Sequence, residues 1–321
     1  MAHSYTGGAP LAEVVRSGFV EGLHRGSVVV LDATGTVVAS AGDVLSPIFP
    51  RSSSKPLQAI GMLRSGLRLV DSADLALVCG SHYGEDFHLA RVDALLRSGG
   101  LTESDLRCPP DLPIGEAARA AVLRAGGGPA RIRMNCSGKH AGMLLTCLAA
   151  GWPVEGYREP EHPLQERLRA AVEEFTGEPV AAVGVDGCGA PVLAVSLTGM
   201  AGAFLRLVSG APGSVERTVA DAMRTHPELV AGTGAEDTRL MTGVPGLLSK
   251  VGAEGVVVSA VPGVGAVAIK IDDGAGRPRM PVLVAALRRL GVTAAVLAEL
   301  AELPLLGGGV PVGAIRALPT F

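Results

Sequence analysis

Two blocks of β-branched residues lie near opposite ends of this chain, with helical spacing between them, and no other feature constrains the fold as strongly. Val28-Val29-Val30-Leu31 and Val37-Val38-Ala39 flank Ala33-Thr34-Gly35, the pattern of a hairpin. Far downstream, the segment Ser249 to Gly255, then Val256 to Val261, and then Ala266 to Ile271 beyond the Pro262-Gly263-Val264-Gly265 turn, read as a meander that ends in Asp272-Asp273-Gly274. Between the blocks, apolar positions recur every three or four residues. Helices are predicted from Lys55 to about Leu67, over Phe87 to Ser98, Glu116 to Ala125, through Leu145 and Ala149, and over His162 to Phe175, Met200 to Leu207, Ser214 to Thr225 and Ala235 to Met241. A strand is predicted at Val180 to Val185, and helices at Met280 to Leu290 and Ala294 to Ala301 follow the meander. A sheet built from both termini with helices inserted is an α+β architecture. The expected organisation is one domain over 1–321, with its α/β part near 1–50 and 245–321 and a helical and loop part near 51–244.

The segment Arg51-Ser52-Ser53-Ser54-Lys55-Pro56 joins the first block to the helices. If a helix begins at Ser52, Lys55 lies one turn away on the same face, and its amine can reach the serine hydroxyl. Pro56 is tolerated in a first turn. The same residues would also serve as an ordinary helix cap, and Ser53 and Ser54 lack this relation to Lys55.

The charge balance removes several function classes. Lys plus Arg is 28 and Asp plus Glu 31, a net charge of −3 without long runs of one sign, so nucleic acid is not an expected partner. The most apolar stretches are short or broken by Pro262, Gly263, Arg288 and Arg289, so no membrane span is expected. Five scattered cysteines fit a reducing compartment better than a disulfide scaffold, and the Met1-Ala2-His3-Ser4-Tyr5 start has no export signal, so a cytoplasmic location is expected. No Gly-x-Ser-x-Gly elbow, phosphate loop or dinucleotide fingerprint follows a strand.

Other polar clusters sit at segment ends beside glycines: Ser81 with His82, Cys136 with Lys139 and His140, Asp186 with Cys188, and Lys250 with Glu254. Each has a plain alternative. Ser81 and His82 would form a capped loop, Asp186 an Asx turn before Gly187, and Glu254 a surface pair with Lys250. Cys136-x-x-Lys139 is not a standard zinc spacing, so spacing alone argues for buried small apolar cysteines. Ser-x-x-Lys early and Lys250-Val251-Gly252 late match the two ends of the serine β-lactamase and penicillin-binding pattern, while the middle departs from it, because Ser81 is followed by His82-Tyr83. That pattern alone admits a penicillin-recognising hydrolase or esterase, and the cysteine cluster alone a non-catalytic zinc or amino-acid binder.

Taken together, six stretches resemble the Rhizobium etli-type L-asparaginases, the class 3 or asparaginase II family. They are Arg51 to Lys55, Gly80 to Glu85, Asn135 to Met143, Val185 to Pro191, Lys250 to Gly255 and Lys270 to Gly274, and they run in one order through most of the chain. The resemblance implies a serine β-lactamase-like α+β fold, a homodimer, and hydrolysis of L-asparagine to L-aspartate and ammonia. It implies that Ser52 is the nucleophile with Lys55 as base, and that Ser81 pairs with Lys250 as a second couple, though Lys270 could supply that lysine. Cys136, Lys139 and Cys188 would hold one zinc ion, Asp186 would stand beside it, and Arg51, His82, Asp186 and Glu254 are candidate substrate contacts. The chain lacks the Thr-Gly-Gly-Thr signature of the common bacterial asparaginases, and no internal threonine looks like an autoprocessing site.

Overall fold

The computed structural model describes residues 5–319. Strands β1 (Ala9–Arg16), β2 (Phe19–Asp32), β3 (Val37–Ala41) and β4 (Pro47–Ile48) come from the start of the chain. Strands β5 (Ala182–Val185) and β6 (Pro191–Ser196) come from the middle, and β7 (Leu248–Gly252), β8 (Val256–Val261), β9 (Gly265–Ile271), β10 (Glu302–Gly307) and β11 (Val310–Ala317) from the end. The large sheet has the order β10-β11-β1-β2-β9-β8-β7, with β3 on β2, and its pairings are antiparallel. The two blocks join directly: β2 pairs β9 in register from Gly26↔Ile271 to Asp32↔Gly265. The α+β class and the sheet drawn from both termini are therefore as the sequence implies.

Why the late block reads as continuous apolar runs is now clear. All six residues of β8 are buried, so both faces of the sheet are covered there. Helix Leu197–Ser209 packs on β2, β8 and β9, and helix Arg279–Arg289 packs on β8, β9 and β11. Most of the remaining helices lie in the 51–244 region. Among the described residues no helix is long and apolar enough to cross a membrane.

Several elements carry no clear sequence signal. β1, β10, β11 and the first half of β2 form an extension of the sheet in which β10, β11 and that part of β2 are largely exposed or half-buried, and mixed polarity replaces the apolar runs. Residues 51–244 also hold β5 and β6, which pair with β4 as a second, three-stranded sheet. Ser72–Val78 is a helix, with the Asp71 carboxylate accepting the Ala73 N–H at 2.9 Å.

Candidate active site

A 3₁₀ turn, Arg51–Ser54, leads into the helix Lys55–Arg64. Ser53 donates to Pro50 O at 2.7 Å and Ser54 to Arg51 O at 2.9 Å, so both hydroxyls are spent on the turn. Ser52 makes no cap, and among the described residues its hydroxyl has no hydrogen-bond partner. That turn lies against β7, where a Cβ on Gly252 would stand 2.5 Å from Pro50 O, so only glycine permits the approach. Lys55 is buried at the head of the helix, and its amine donates to Ser81 Oγ at 3.0 Å and to Gly80 O. The α-helix begins at Lys55, with Ser52 in the 3₁₀ turn before it, and Lys55 bonds Ser81, not Ser52.

Ser52 and Ser81 face one cleft of about 430 Å³, which Tyr83, Asn135, Glu236, Asp237, Ala253 and Arg279 also line. Lys250 is enclosed beside it. Its amine donates to Val251 O at 2.8 Å and stands 3.7 Å from Asp237 Oδ2. In place of the expected Ser81–Lys250 couple, Ser81 is hydrogen-bonded to Lys55, and Lys250 is ion-paired with Asp237. Burial draws the Lys250 amine down to about 8, Asp237 opposes this, and the Lys55 charge adds to it. Asp237 is itself fixed, accepting from Ser249 Oγ at 2.8 Å and from the Val251 N–H at 2.9 Å.

Beyond Asn135 the chain turns into the helix Ser137–Ala150, and the β5–β6 connection brings Cys188 against its first turn. Lys139 Nζ donates to Cys188 Sγ at 3.2 Å, and Cys136, Lys139 and Cys188 are all buried. Burial opposes charge on Lys139, but the two sulfurs and Asp186 outweigh it and hold the amine above its ordinary value. The sulfurs share a proton: Cys136 is pushed up, and Cys188, contacted by Cys136, Lys139 and His140, is held well below the ordinary thiol value.

Two sulfurs and one nitrogen lie together here in a buried cluster, a donor set that would fit zinc. Among the described residues no group of three His, Cys, Asp or Glu side chains could hold a metal, so a metal here would require the Lys139 amine as a donor. His140 Nε2, directed at Cys188, is buried without an ordinary hydrogen-bond partner. Tyr157 Oη accepts the Arg107 N–H at 3.0 Å and lies 2.6 Å from His140 Nδ1; if Tyr157 donates there, the imidazole proton is on Nε2. In that tautomer the imidazole suits a donor to sulfur better than a fourth ligand.

Arg51 holds Asp186, with Nη2 at 2.7 Å and Nε at 2.8 Å from Oδ1, and Glu254 lies 3.8 Å from Nη1. Arg51 and Glu254 are two of the non-glycine residues in the left-handed region, at φ 52° and 58°, strain of the kind found at functional sites. Arg51 and Glu254 line a second cleft, with Phe49 and Lys270, on a different side of the turn from the serines. Lys270 donates to Glu254 O and Ile271 O at 2.6 Å each, so of the two candidate lysines Lys250 is the one beside the serine cleft.

His82 is not a lining residue. Ser81 and Tyr83 bond Val230 O and Ala231 O through their N–H groups while the His82 N–H turns to Asn135 O, the alternation of an extended chain. Its ring is therefore buried behind the cleft, 2.8 Å from Ser137 Oγ, and burial keeps it neutral. Conversely Glu236, Asp237 and Arg279 line the cleft although nothing in the sequence singled them out. Their one local trait is position, since Glu236 opens the helix Glu236–Gly243 and Arg279 opens Arg279–Arg289.

Comparison with solved structures gives loose likenesses. Mglu in its native form is 17% identical with a TM-score of 0.41, and the match covers 77% of this chain but 59% of that one. A β-lactamase from Mycobacterium bovis is 16% identical, with coverage of 83% and 94% and a TM-score of 0.45. Simvastatin synthase from Aspergillus terreus is 13% identical, with coverage of 86% and 92% and a TM-score of 0.43. A search of curated proteins gives no match. The model of one family, L-asparaginase II, matches residues 12–317, nearly the whole described chain, and the protein belongs to that family.

Proposed function

We propose that this member of the L-asparaginase II family is a Rhizobium etli-type amidohydrolase that converts L-asparagine to L-aspartate and ammonia. The observation that carries the reading is one cleft faced by two serine hydroxyls, one of them bonded to the buried Lys55 amine at 3.0 Å. Ser52 is free of structural hydrogen bonds and is the nucleophile. Its oxygen attacks the side-chain amide carbon as its proton passes to Lys55, with Ser81 as relay. Collapse of the adduct breaks the C–N bond, the nitrogen takes up the proton, and ammonia leaves an aspartyl ester on Ser52. Water, deprotonated by the same amine, then cleaves the ester and frees aspartate. Lys250 sits close enough for its charge to disfavour protonation elsewhere in the cluster.

Cys136, Lys139 and Cys188 would hold a zinc ion, which when bound supplies a fixed positive charge for orienting substrate. The family resemblance extends the reading to a homodimer. Ammonia release from L-asparagine and L-glutamine tests it: wild type should release ammonia from L-asparagine and Ser52→Ala should not. Wild-type turnover in Ser52→Ala would overturn the mechanism, and no release by wild type from either amide would overturn the activity.

A further inference from the structure

The serine cleft carries a charge pair that the chemistry above leaves unused. Arg279 Nη2 lies 3.0 Å from Glu236 Oε2, and both side chains line the same cleft as Ser52 and Ser81. The guanidinium is held in place, because Nη1 also donates to Gly252 O at 3.1 Å, on the strand that abuts the Ser52 turn. The two groups keep unequal access to solvent, with side chains 16% and 37% exposed. Elsewhere in the molecule, arginine–carboxylate pairs such as Arg97–Asp93 and Arg239–Glu299 lie on open surface. Here one cation and one anion are presented together at a cleft that also holds a nucleophile.

A substrate with one ammonium and one carboxylate on the same carbon has the complementary pattern. We propose that Arg279 and Glu236 form a clamp for the α-amino-acid head group, Arg279 taking the α-carboxylate and Glu236 the α-ammonium, so that the side-chain amide is delivered to Ser52. Guanidinium–carboxylate recognition is favoured by the planar donor fork of arginine. Burial raises the Glu236 carboxyl from its ordinary value and Arg279 opposes that shift, so a bound ammonium would take over part of the role of Arg279. Asp237, the neighbouring acid in the cleft, is already committed to Ser249, Val251 and Lys250. The clamp rests on the amidohydrolase reading for its purpose, but binding tests it without turnover.

The experiment is calorimetric binding to the full chain of L-aspartate, of succinate, which lacks the α-ammonium, and of β-alanine, which lacks the α-carboxylate. Charged hydrogen bonds of ordinary strength predict that wild type binds L-aspartate roughly 10- to 100-fold more tightly than either analogue. Arg279→Met should abolish the preference over β-alanine while retaining that over succinate, and Glu236→Gln should do the reverse. Arg279→Lys should restore part of the first preference, which covers the case of a poorly folded Arg279→Met. Arg239→Met, in an exposed pair on the same helix as Glu236, should leave both preferences unchanged. Equal binding of the three ligands by wild type overturns the clamp, as does an Arg279→Met effect that weakens L-aspartate and β-alanine alike. Selective binding without ammonia release from any amide would overturn the amidohydrolase reading and leave the clamp standing. Asparagine turnover without head-group selectivity would do the opposite.

Discussion

Lys139 and Lys250 are both closed off from solvent, at 2% and 0% exposure, yet their surroundings drive the two amines in opposite directions. Lys139 sits against Cys188 at 3.2 Å, with Cys136 and Asp186 also in its field, and it keeps its proton. Lys250 has one carboxylate at 3.7 Å and the Lys55 charge nearby, and burial prevails, bringing it to about 8. Burial alone thus does not fix the state of a lysine; the number and closeness of its anions do. The difference divides the labour. The thiol cluster is built to hold a cation, whether the Lys139 ammonium or a metal, and the serine cluster to hold an amine that can lose its proton near neutral pH.

Removing the chemistry from one side gives the largest expected effect. Ser52→Ala and Lys55→Met should each lower asparagine turnover by roughly 10⁴-fold or more, as loss of a nucleophile or its base does elsewhere, with zinc content unchanged. Ammonia assay with metal analysis reads both, and zinc lost along with turnover would show that the two clusters are one unit.

Breaking the other side should be next. Cys188→Ala leaves a buried ammonium without its nearest anion, which should cost about 3–5 kcal/mol in denaturant unfolding of the metal-free chain. Its zinc content, by elemental analysis, should fall from one per chain to none. Retained stability would mean that Lys139 simply gives up its proton and resembles Lys250 more than the structure indicates.

A pH series contrasts the two lysines directly. Lys250 has a folded value of about 8 against 10.5 for the free side chain, so between those values the unfolded chain binds more protons and stability rises with pH. The full cost applies below pH 8 and is relieved by pH 10.5. At about 1.4 kcal/mol per unit, wild type should gain roughly 3 kcal/mol on Lys250→Met across that window. Lys139, raised in the fold, contributes stability that is fully present below 10.5 and is lost only at higher pH, so wild type should show no such gain on Lys139→Met. Chemical unfolding of wild type and both variants from pH 7 to 10.5 measures this, and parallel curves for the two variants would remove the contrast.

Smaller effects bound the comparison. Asp237→Asn keeps an acceptor for the Val251 N–H and turns an amide N–H towards Ser249 Oγ, but removes the anion of Lys250, and should cost about 2 kcal/mol at pH 7, less as pH rises. Arg316→Ala, which breaks an exposed pair with Glu13 on the sheet extension, should cost under about 1 kcal/mol.

Legibility in the sequence followed burial and locality. The β2–β9 and β8 core of the sheet was readable because strands covered on both faces must be continuously apolar. β10 and β11 were not, because strands with exposed faces tolerate mixed polarity, and only their pairing to β1 makes them strands. β6, six buried residues from Pro191 to Ser196, was missed because a short apolar run does not declare its class. The same division holds in the site. Ser52, Lys55, Ser81 and the Cys136–Lys139–Cys188 group stood out as residue types beside glycines. Glu236, Asp237 and Arg279 did not, since each opens an ordinary helix and only folding brings those helices to the cleft.

By itself, then, the sequence determined the α+β class, the joining of two distant strand blocks, the family and a set of candidate site residues, because each rests on local periodicity or on short strings of residues. Only the tertiary structure decided the pairings. Lys55 reaches Ser81 because a 3₁₀ turn precedes its helix, and His82 points away from the cleft because its segment is extended. Lys250 meets Asp237 because β7 passes the helix Glu236–Gly243. Hydrogen bonds depend on directions set by elements far apart in the chain, and no local pattern carries those directions.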